Sequence, residues 1–463
     1  MHDALHLAFQ RSLAFRKGLS ERPVGARASL AELRAILGRP LGDQGLPPAE
    51  VIAELADGAD PGIIAEPGPR YFGFVIGGSS EAALGADWLT SAWDQNAGLY
   101  ATSPALAVVE ETCAGWILDL LGLPATAGLG FVTGCQMAHF TCLAAARHEL
   151  LRRVGWDVEQ EGLQGSPALN VVVGEEVHVT VPRALRFLGL GAGRMIRVAV
   201  DGQGRMLASE LAKTLGRLQG PTLVCAQVGN VNTGAIDPME PISDACAAQG
   251  AWLHVDGAFG LWAAAAPALR ASVAGVARAD SWATDAHKWL NVPYDSGLAI
   301  VRDPAAHRAA MTVSAAYLIQ QDGAAARDAV DWVPEFSRRA RGFALYAQLR
   351  ALGRQGVGRL VEHSCALARR AAHELSHLPG AEVLNEVALN QVLVRFTPAG
   401  GGDADAFTRQ VVAGVQAEGT CWLSGSTWQG RGVMRLSISG QDTTEADVDR
   451  SVAAIRRVVA GLG

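Results

Sequence analysis

SWATDAHKWLNVPYDSGLAIV, residues 281–301, opens on a short apolar run and closes on another. Lys288 sits between the two runs, flanked by His287 and Trp289, with Asp285 three residues before it. A buried ammonium is costly, and burial lowers a lysine's pKa. An uncharged amine can attack a carbonyl and form an imine. The other reading is a surface lysine that caps a helix or pairs with Asp285. This window alone leaves both open.

The same kind of run recurs outward from it. NVVVG (170–174), MIRVAV (195–200), TLVCAQVG (222–229), WLHVD (252–256), SWAT (281–284) and GLAIVR (297–302) are short, and several are rich in Val or Ile. Strands buried on both faces look like this. Helical periods alternate with them from about residue 80 to 345, which predicts an α/β domain with a mainly parallel sheet. Ligands in such sheets lie at the carboxyl ends of strands. A helix is expected over 336–353, then VLVRF (392–396), a helix over 404–418, VMRLSIS (433–439) and a closing helix capped by Thr444. This is a smaller α+β domain. Residues 1–65 read as helices in Pro/Gly loops, too small for their own core, and 61–78 as a linker leading into an extended segment. The expected division is 1–78 for the N-terminal helical segment, 79–345 for the large α/β domain and 346–463 for the small one.

The 463 residues are 49% hydrophobic and 18% charged, a globular composition. The net charge is −7 and Lys and Arg form no long run, so neither nucleic acid nor an anionic membrane surface is an expected partner. Apolar stretches are broken by Gly, Pro or charge, so no membrane span is expected. MHDALHLAFQRSLAFRKG at the N-terminus lacks a signal-peptide core. Seven Cys without metal spacing fit reduced thiols, so a cytoplasmic chain with no metal site is expected.

Three more windows carry polar residues at strand ends. In AWLHVDGAFG (251–260), Asp256 either satisfies backbone N–H groups or holds a proton on a pyridine nitrogen, the electron sink that pyridoxal phosphate chemistry needs. Ala258 is small enough to let a flat ring lie against the backbone. In GFVTGCQMAHFTCLAAARHELLRR (130–153), Gly134, Cys135 and Gln136 start a helix, where free N–H groups make an anion site. In VGEEVHVTVPRALRFLGLG (173–191), His178 is either a hydrogen-bonded structural residue or a ring that stacks on a cofactor.

Together these windows resemble the group II pyridoxal-phosphate-dependent decarboxylases, which have the aspartate-aminotransferase-like fold type I. The resemblance runs from about Pro69 to the C-terminus. HVDGAFG, DAHKW, the Thr-Gly-x-x-x-Ala turn, the FSRRARGFALYAQLR stretch, LNQVLVRF (389–396) and MRLSIS (434–439) carry it. It implies a mostly parallel seven-stranded sheet and a pyridoxal 5'-phosphate cofactor. Lys288 would hold the cofactor as an imine, Asp256 would pair with its ring nitrogen, His178 would stack over the ring and Ala258 would lie beneath it. Gly134, Cys135 and Gln136 would contact the phosphate, with His287 close by. The resemblance further implies an L-amino acid substrate, loss of carbon dioxide, and a homodimer with active sites at the interface and N-terminal helices wrapped on the partner.

The chain departs from the family pattern in places. Gly229-Asn230-Val231 stands where a Gly-Thr-Thr motif is usual, so Asn230 would replace a hydroxyl near the cofactor. Ala329 stands near the position of a loop tyrosine that protonates the product carbon, and the nearest tyrosine is Tyr317. Oxidative deamination to an aldehyde and carbon–carbon cleavage therefore stay open beside decarboxylation, as does a catalytically silent binding protein on the same fold. Tyr71, Phe72, Phe74 and Trp93 are either substrate-pocket or interface aromatics. Arg435 either meets the substrate carboxylate or forms a structural salt bridge.

Overall fold

The computed structural model describes residues 3–312 and 327–462. Two compact units result. The larger comprises Gly77–Arg369 with Leu384–Val392, and the smaller Met1–Ile76, Arg370–Val383 and Leu393–Gly463.

In the larger unit the apolar runs become β1 (Gly128–Val132), β2 (Asn170–Gly174), β3 (Ile196–Val198), β4 (Thr222–Gln227), β5 (Trp252–Asp256), β6 (Ser281–Asp285) and β7 (Gly297–Val301). Their order is β1-β7-β6-β5-β4-β2-β3. The strands β2 to β6 are mutually parallel, and β7 runs antiparallel to both β6 and β1. Six of seven strands thus end on one edge, and every chain reversal that matters for a ligand gathers there. Every residue of β1, β4, β5, β6 and β7 is buried, as runs without polar alternation require. The run MIRVAV shortens to three residues in β3, at the edge of the sheet.

The helix after β1, Cys135–Arg152, buries Ala138, Cys142 and Ala145, small side chains that let it lie close to the sheet. Its entry turn depends on glycine. A Cβ on Gly297 would fall 2.4 Å from Gly134 Cα, so the start of β7 and the turn can touch only without side chains.

The helix expected from residue 336 begins later, as Gly342–Ser376, and is kinked at Gly353. Arg338 explains the delay. Its guanidinium is buried, bonds Glu110 and donates to Ala97 O at 3.1 Å, while Ala97 N donates to Arg338 O at 3.0 Å. That pairing holds residues 336–341 on a non-helical path despite their helical composition. The same helix runs through the boundary expected at 345, and the compact units divide at 369 instead.

The smaller unit holds a second sheet of β8 (Ala381–Val383), β9 (Gln391–Phe396), β10 (Ser424–Trp428) and β11 (Arg431–Ser437), in the order β10-β11-β9-β8, with the first two residues of β9 assigned to the larger unit. The expected helix Ala404–Glu418 forms, capped by Asp403. Thr444 caps Glu445–Leu462 by a reciprocal pair. Its Oγ1 accepts from Asp447 N at 3.2 Å, and the Asp447 carboxylate accepts from Thr444 N at 3.0 Å. The N-terminal helices Asp3–Gly18, Leu30–Leu37 and Pro48–Ala59 belong to this unit. Arg70 ties them in. It is buried and donates to Thr420 O at 2.5 Å and to Ser20 O at 2.6 Å. Phe72 N donates to Trp422 O at 2.7 Å, and Tyr71 stacks on the Trp422 ring at 5.1 Å. The segment without a core of its own is thus stitched along its extended end to residues 420–437.

All seven cysteines are free and buried. Among the described residues, no helix is long and apolar enough to cross a membrane.

Arg70→Ala strands buried carbonyls at Thr420 and Ser20. It should cost about 2–4 kcal/mol. Urea unfolding will show the lower midpoint, and limited proteolysis will show faster cleavage before residue 70.

Candidate active site

The carboxyl ends of the parallel strands carry the polar side chains. Asp256 ends β5, Asp285 ends β6, Cys135 starts the helix after β1, His178 follows β2 and Asn230 follows β4. Because β5 and β6 are neighbours, with Asp256 opposite Ala283, the acid at 256 and the Lys288 turn lie one strand apart.

A chain of short contacts joins them. Lys288 Nζ lies 2.9 Å from Asp285 Oδ2. Asp285 Oδ1 accepts from Cys135 N at 2.6 Å. The Cys135 thiol lies 4.0 Å from Asp256 Oδ1, which also accepts from Ala258 N at 3.2 Å. The lysine and the acid therefore converge on the start of one helix.

The charges follow from this crowding. Burial alone works to push Asp256 up. The His139 imidazole and its hydrogen bond, followed by His178 and Lys288, outweigh it and hold the carboxyl well below its usual range. Burial works to lower Lys288, but the carboxylates of Asp285 and Asp256 raise it above an ordinary lysine. The sequence led to the opposite expectation, an amine neutralised by burial. Asp285, three residues away, reverses the sign, and the pairing offered as the alternative reading is what the chain forms. Burial, then the charges of Asp285 and Asp256, lift the Cys135 thiol well above its usual value, so it stays protonated.

His287 Nδ1 accepts from Ser296 N at 3.1 Å, which leaves the ring proton on Nε2, 3.4 Å from Asp285 Oδ1. His178 Nδ1 lies 2.7 Å from Thr180 Oγ1 and accepts from Thr180 N at 3.4 Å, so Thr180 sets the direction of its ring. Gln136 donates to Thr180 O at 3.3 Å, and its Oε1 is buried without a partner. Asn230 is buried, and its Oδ1 accepts from Asn232 N at 2.9 Å and Thr233 N at 3.2 Å. Its oxygen shapes the turn after β4, and its amide donates to Gln227 Oε1 at 3.3 Å. Ala329 is buried in the short turn Ala329–Asp331, and Tyr317 lies outside the described residues.

In the smaller unit Tyr71 and Phe72 are buried, while Phe74 is exposed and Arg435 is buried in β11, where burial lowers it to about 10. In the larger unit Trp93 is half exposed and meets the Phe343 ring edge-on at 5.1 Å.

Sequence reading passed over His139, His254 and Ser281. His139 lies 3.5 Å from Asp256 Oδ2, and His254 Nε2 lies 2.9 Å from His139 Nδ1. The signal was a histidine in the middle of the apolar strand WLHVD, a buried polar group that needs a partner.

Pyridoxal phosphate asks a protein for an amine, an anion for its ring nitrogen, donors for its phosphate and a flat space. Lys288 can give the first and the ionised Asp256 the second. The Gly134 turn offers a helix start with no Cβ in the way, since one there would sit 3.0 Å from His287 Cε1. Gly77 and Ala258 keep the surroundings low: a Cβ on Gly77 would fall 1.7 Å from the Lys288 carbonyl oxygen. The residues fit the group.

Comparison with known proteins agrees. The family model described as the pyridoxal-dependent decarboxylase conserved domain matches residues 34–397. The chain is 29% identical to the acidic amino acid decarboxylase GADL1 of Homo sapiens, over 79% of this chain and 71% of that one. It is 30% identical to the L-2,4-diaminobutyrate decarboxylase of Rhizobium meliloti, over 81% of this chain and 74% of the relative. The crystal structure of Oryza sativa TDC with PLP and tryptamine superposes with a TM-score of 0.91 at 24% identity, covering 99% of this chain and 97% of that one, which shows the shared fold. The chain therefore belongs to the pyridoxal-dependent decarboxylases, carboxy-lyases of fold type I that use pyridoxal 5'-phosphate to remove the α-carboxyl group of an amino acid.

Proposed function

We propose that this chain decarboxylates an L-amino acid, with Lys288 holding the cofactor's aldehyde carbon and Asp256 its ring nitrogen. The observation that carries the assignment is the run of contacts from Lys288 through Asp285 and Cys135 to Asp256. Bound pyridoxal phosphate supplies the sink for the electron pair released with carbon dioxide. The chain's own residues do the rest. Asp285 holds the Lys288 ammonium and is the nearest base for its proton. Asp256, ionised, keeps a proton on the ring nitrogen beside it. The backbone N–H groups at Gly134 and Gln136 would face the phosphate at this helix start, while the Cys135 N–H and the Nε2 proton of His287 stay with Asp285. His178, turned by Thr180, would cover the ring and offer its Nε2 proton to the substrate carboxylate. Asn230 acts by holding the turn after β4 in shape.

The assembly we propose is a cytoplasmic homodimer. Leu5, Phe9, Leu13, Leu30, Leu37 and Leu55 are exposed on the N-terminal helices of the smaller unit, an apolar surface that a partner copy would cover. The free, buried thiols suit a reducing compartment. Sedimentation of the purified holoenzyme should give twice the chain mass, and Leu5→Glu with Phe9→Glu should shift it towards monomer.

The holoenzyme should show an imine absorbance band that borohydride fixes irreversibly and that Lys288→Ala lacks. Carbon dioxide release across a panel of L-amino acids, with aldehyde and peroxide measured alongside, tests the reaction. Amine and carbon dioxide in equal amounts are expected. Asp256→Asn should lower kcat by about a hundredfold or more, the loss typical of a preorganised charge. A full-strength Asp256→Asn enzyme would remove the assignment of the ring partner.

Gly77→Ala should release the cofactor on desalting, because the new methyl group must displace the Lys288 backbone. Absorbance after gel filtration measures the occupancy.

A further inference from the structure

Behind Asp256 lies a row of buried side chains that the proposed reaction does not use. His139 Nε2 faces Asp256 Oδ2 at 3.5 Å, and His139 Nδ1 faces His254 Nε2 at 2.9 Å. His254 Nδ1 lies 2.9 Å from Ser281 Oγ, and Trp252 Nε1 lies 2.9 Å from the same oxygen. All five residues are buried, on the helix Cys135–Arg152 and on the adjacent strands β5 and β6.

The hydrogens in this row can be placed by counting. Trp252 has only a donor to offer, so Ser281 Oγ accepts at one end. An ionised carboxylate only accepts, and the Cys135 thiol, 3.4 Å from His139 Nε2, gives its proton to Asp256 Oδ1, so His139 Nε2 donates at the other end. If both imidazoles are neutral, one arrangement satisfies every group. Trp252 donates to Ser281, Ser281 to His254 Nδ1, His254 Nε2 to His139 Nδ1, and His139 Nε2 to Asp256. Reversing the row turns a lone pair of His139 onto the carboxylate. It also leaves the Ser281 hydroxyl proton without an acceptor. Adding a proton to His139 strands that same hydroxyl. Burial pushes His254 well below the usual histidine value, so it stays neutral.

We propose that His139 is a positioning residue that fixes the charge and direction of Asp256 through a one-way hydrogen-bond row, Trp252–Ser281–His254–His139–Asp256. The row does not touch the substrate. Its dipoles all point at the carboxylate, and such alignment in a dry interior strengthens each bond. Asp256 Oδ2 is held by His139, and Oδ1 by Ala258 N and the Cys135 thiol, so the carboxylate cannot rotate away from the ring nitrogen or take up a proton itself. This inference rests on the proposed pairing of Asp256 with that nitrogen.

The test compares two ligands of the apoenzyme: pyridoxal phosphate, and its 1-deaza analogue with carbon in place of the ring nitrogen. Kd values come from fluorescence quenching. A residue acting through Asp256 on the nitrogen matters for the first ligand and not the second. His139→Leu should weaken pyridoxal phosphate by about ten- to hundredfold, the worth of one hydrogen bond to a charge, and leave the analogue unchanged. His139→Gln, whose amide reaches the Nε2 position, should restore most of the preference. Asp256→Asn serves as the control. If it keeps the preference for pyridoxal phosphate, the reading of Asp256 itself falls. If it loses the preference and His139→Leu does not, the role of His139 falls. Equal weakening of both ligands by His139→Leu means a structural role only, and overturns the proposal. A second measurement needs no variant. In apoenzyme labelled with 15N-histidine, His139 and His254 should each carry a single proton, on Nε2, and a proton on His139 Nδ1 would overturn the row. Cys135, His139 and Asp256 also bring ligand atoms within 4.8 Å of one another. One zinc ion bound per chain in the holoenzyme, and lost in His139→Leu, would likewise overturn it.

Discussion

A carboxylate removed from water stays ionised only if something replaces the water. Leaving it unpaired costs several kcal/mol, and the usual outcome is that it takes up a proton and becomes useless as an anion. Asp256 is buried at the end of a central strand, so this constraint governs the site. The replacement comes from three directions: a backbone N–H just after it, a thiol from the helix that begins beyond β1, and an imidazole one turn further along that helix. Neither the thiol nor the imidazole would reach it if β1 did not run parallel to β5 and deliver its helix to the same edge. The sheet order is thus a condition for the charge, and the charge is a condition for the chemistry.

The antiparallel strand of the larger sheet serves the same end. Inserted between β1 and β6, β7 separates the two strands whose ends carry the helix start and the lysine turn. Its first residue, Gly297, lies against Gly134, so the turn presses directly on the sheet. A side chain at Gly297 would push the helix start outward and stretch the bond from Cys135 N to Asp285, and one at Gly134 would crowd the His287 ring. Geometry at the anion end and geometry at the lysine end are therefore coupled through two glycines.

Much of this was legible in the sequence because it rests on local rules. Runs buried on both faces carry no polar alternation, and β2, β4, β5, β6 and β7 appear within two residues of where Val-rich and Ile-rich runs place them. Lys288, Asp256 and Cys135 stand at strand ends, where ligands gather, and the structure brings all three together. What could not be read depends on partners distant in sequence. Residues 336–341 have a helical composition, yet Arg338 is claimed by Glu110, 228 residues earlier, and the helix waits until Gly342. The strand β10, Ser424–Trp428, has no apolar run to announce it and forms because β11 pairs with it. His139 looked like one more residue on an alanine-rich helix. Its meaning appears only when β5 places His254 beside it.

Lys288 shows how a local rule can reverse. Burial alone predicts a neutral amine, but a buried ammonium with a carboxylate at 2.9 Å is better charged. An amine that must attack a carbonyl then has to part with a proton, and parting would leave Asp285 a stranded buried anion if the lysine were its only partner. It is not. Asp285 Oδ1 already holds the N–H at the start of the helix Cys135–Arg152, at 2.6 Å, and faces His287 at 3.4 Å. The positive end of that helix and the imidazole proton continue to support the carboxylate when the lysine's charge is gone. The ion pair that raises the lysine is thus divided so that it can be broken at one oxygen and kept at the other, which reconciles a strongly basic resting amine with a nucleophilic role.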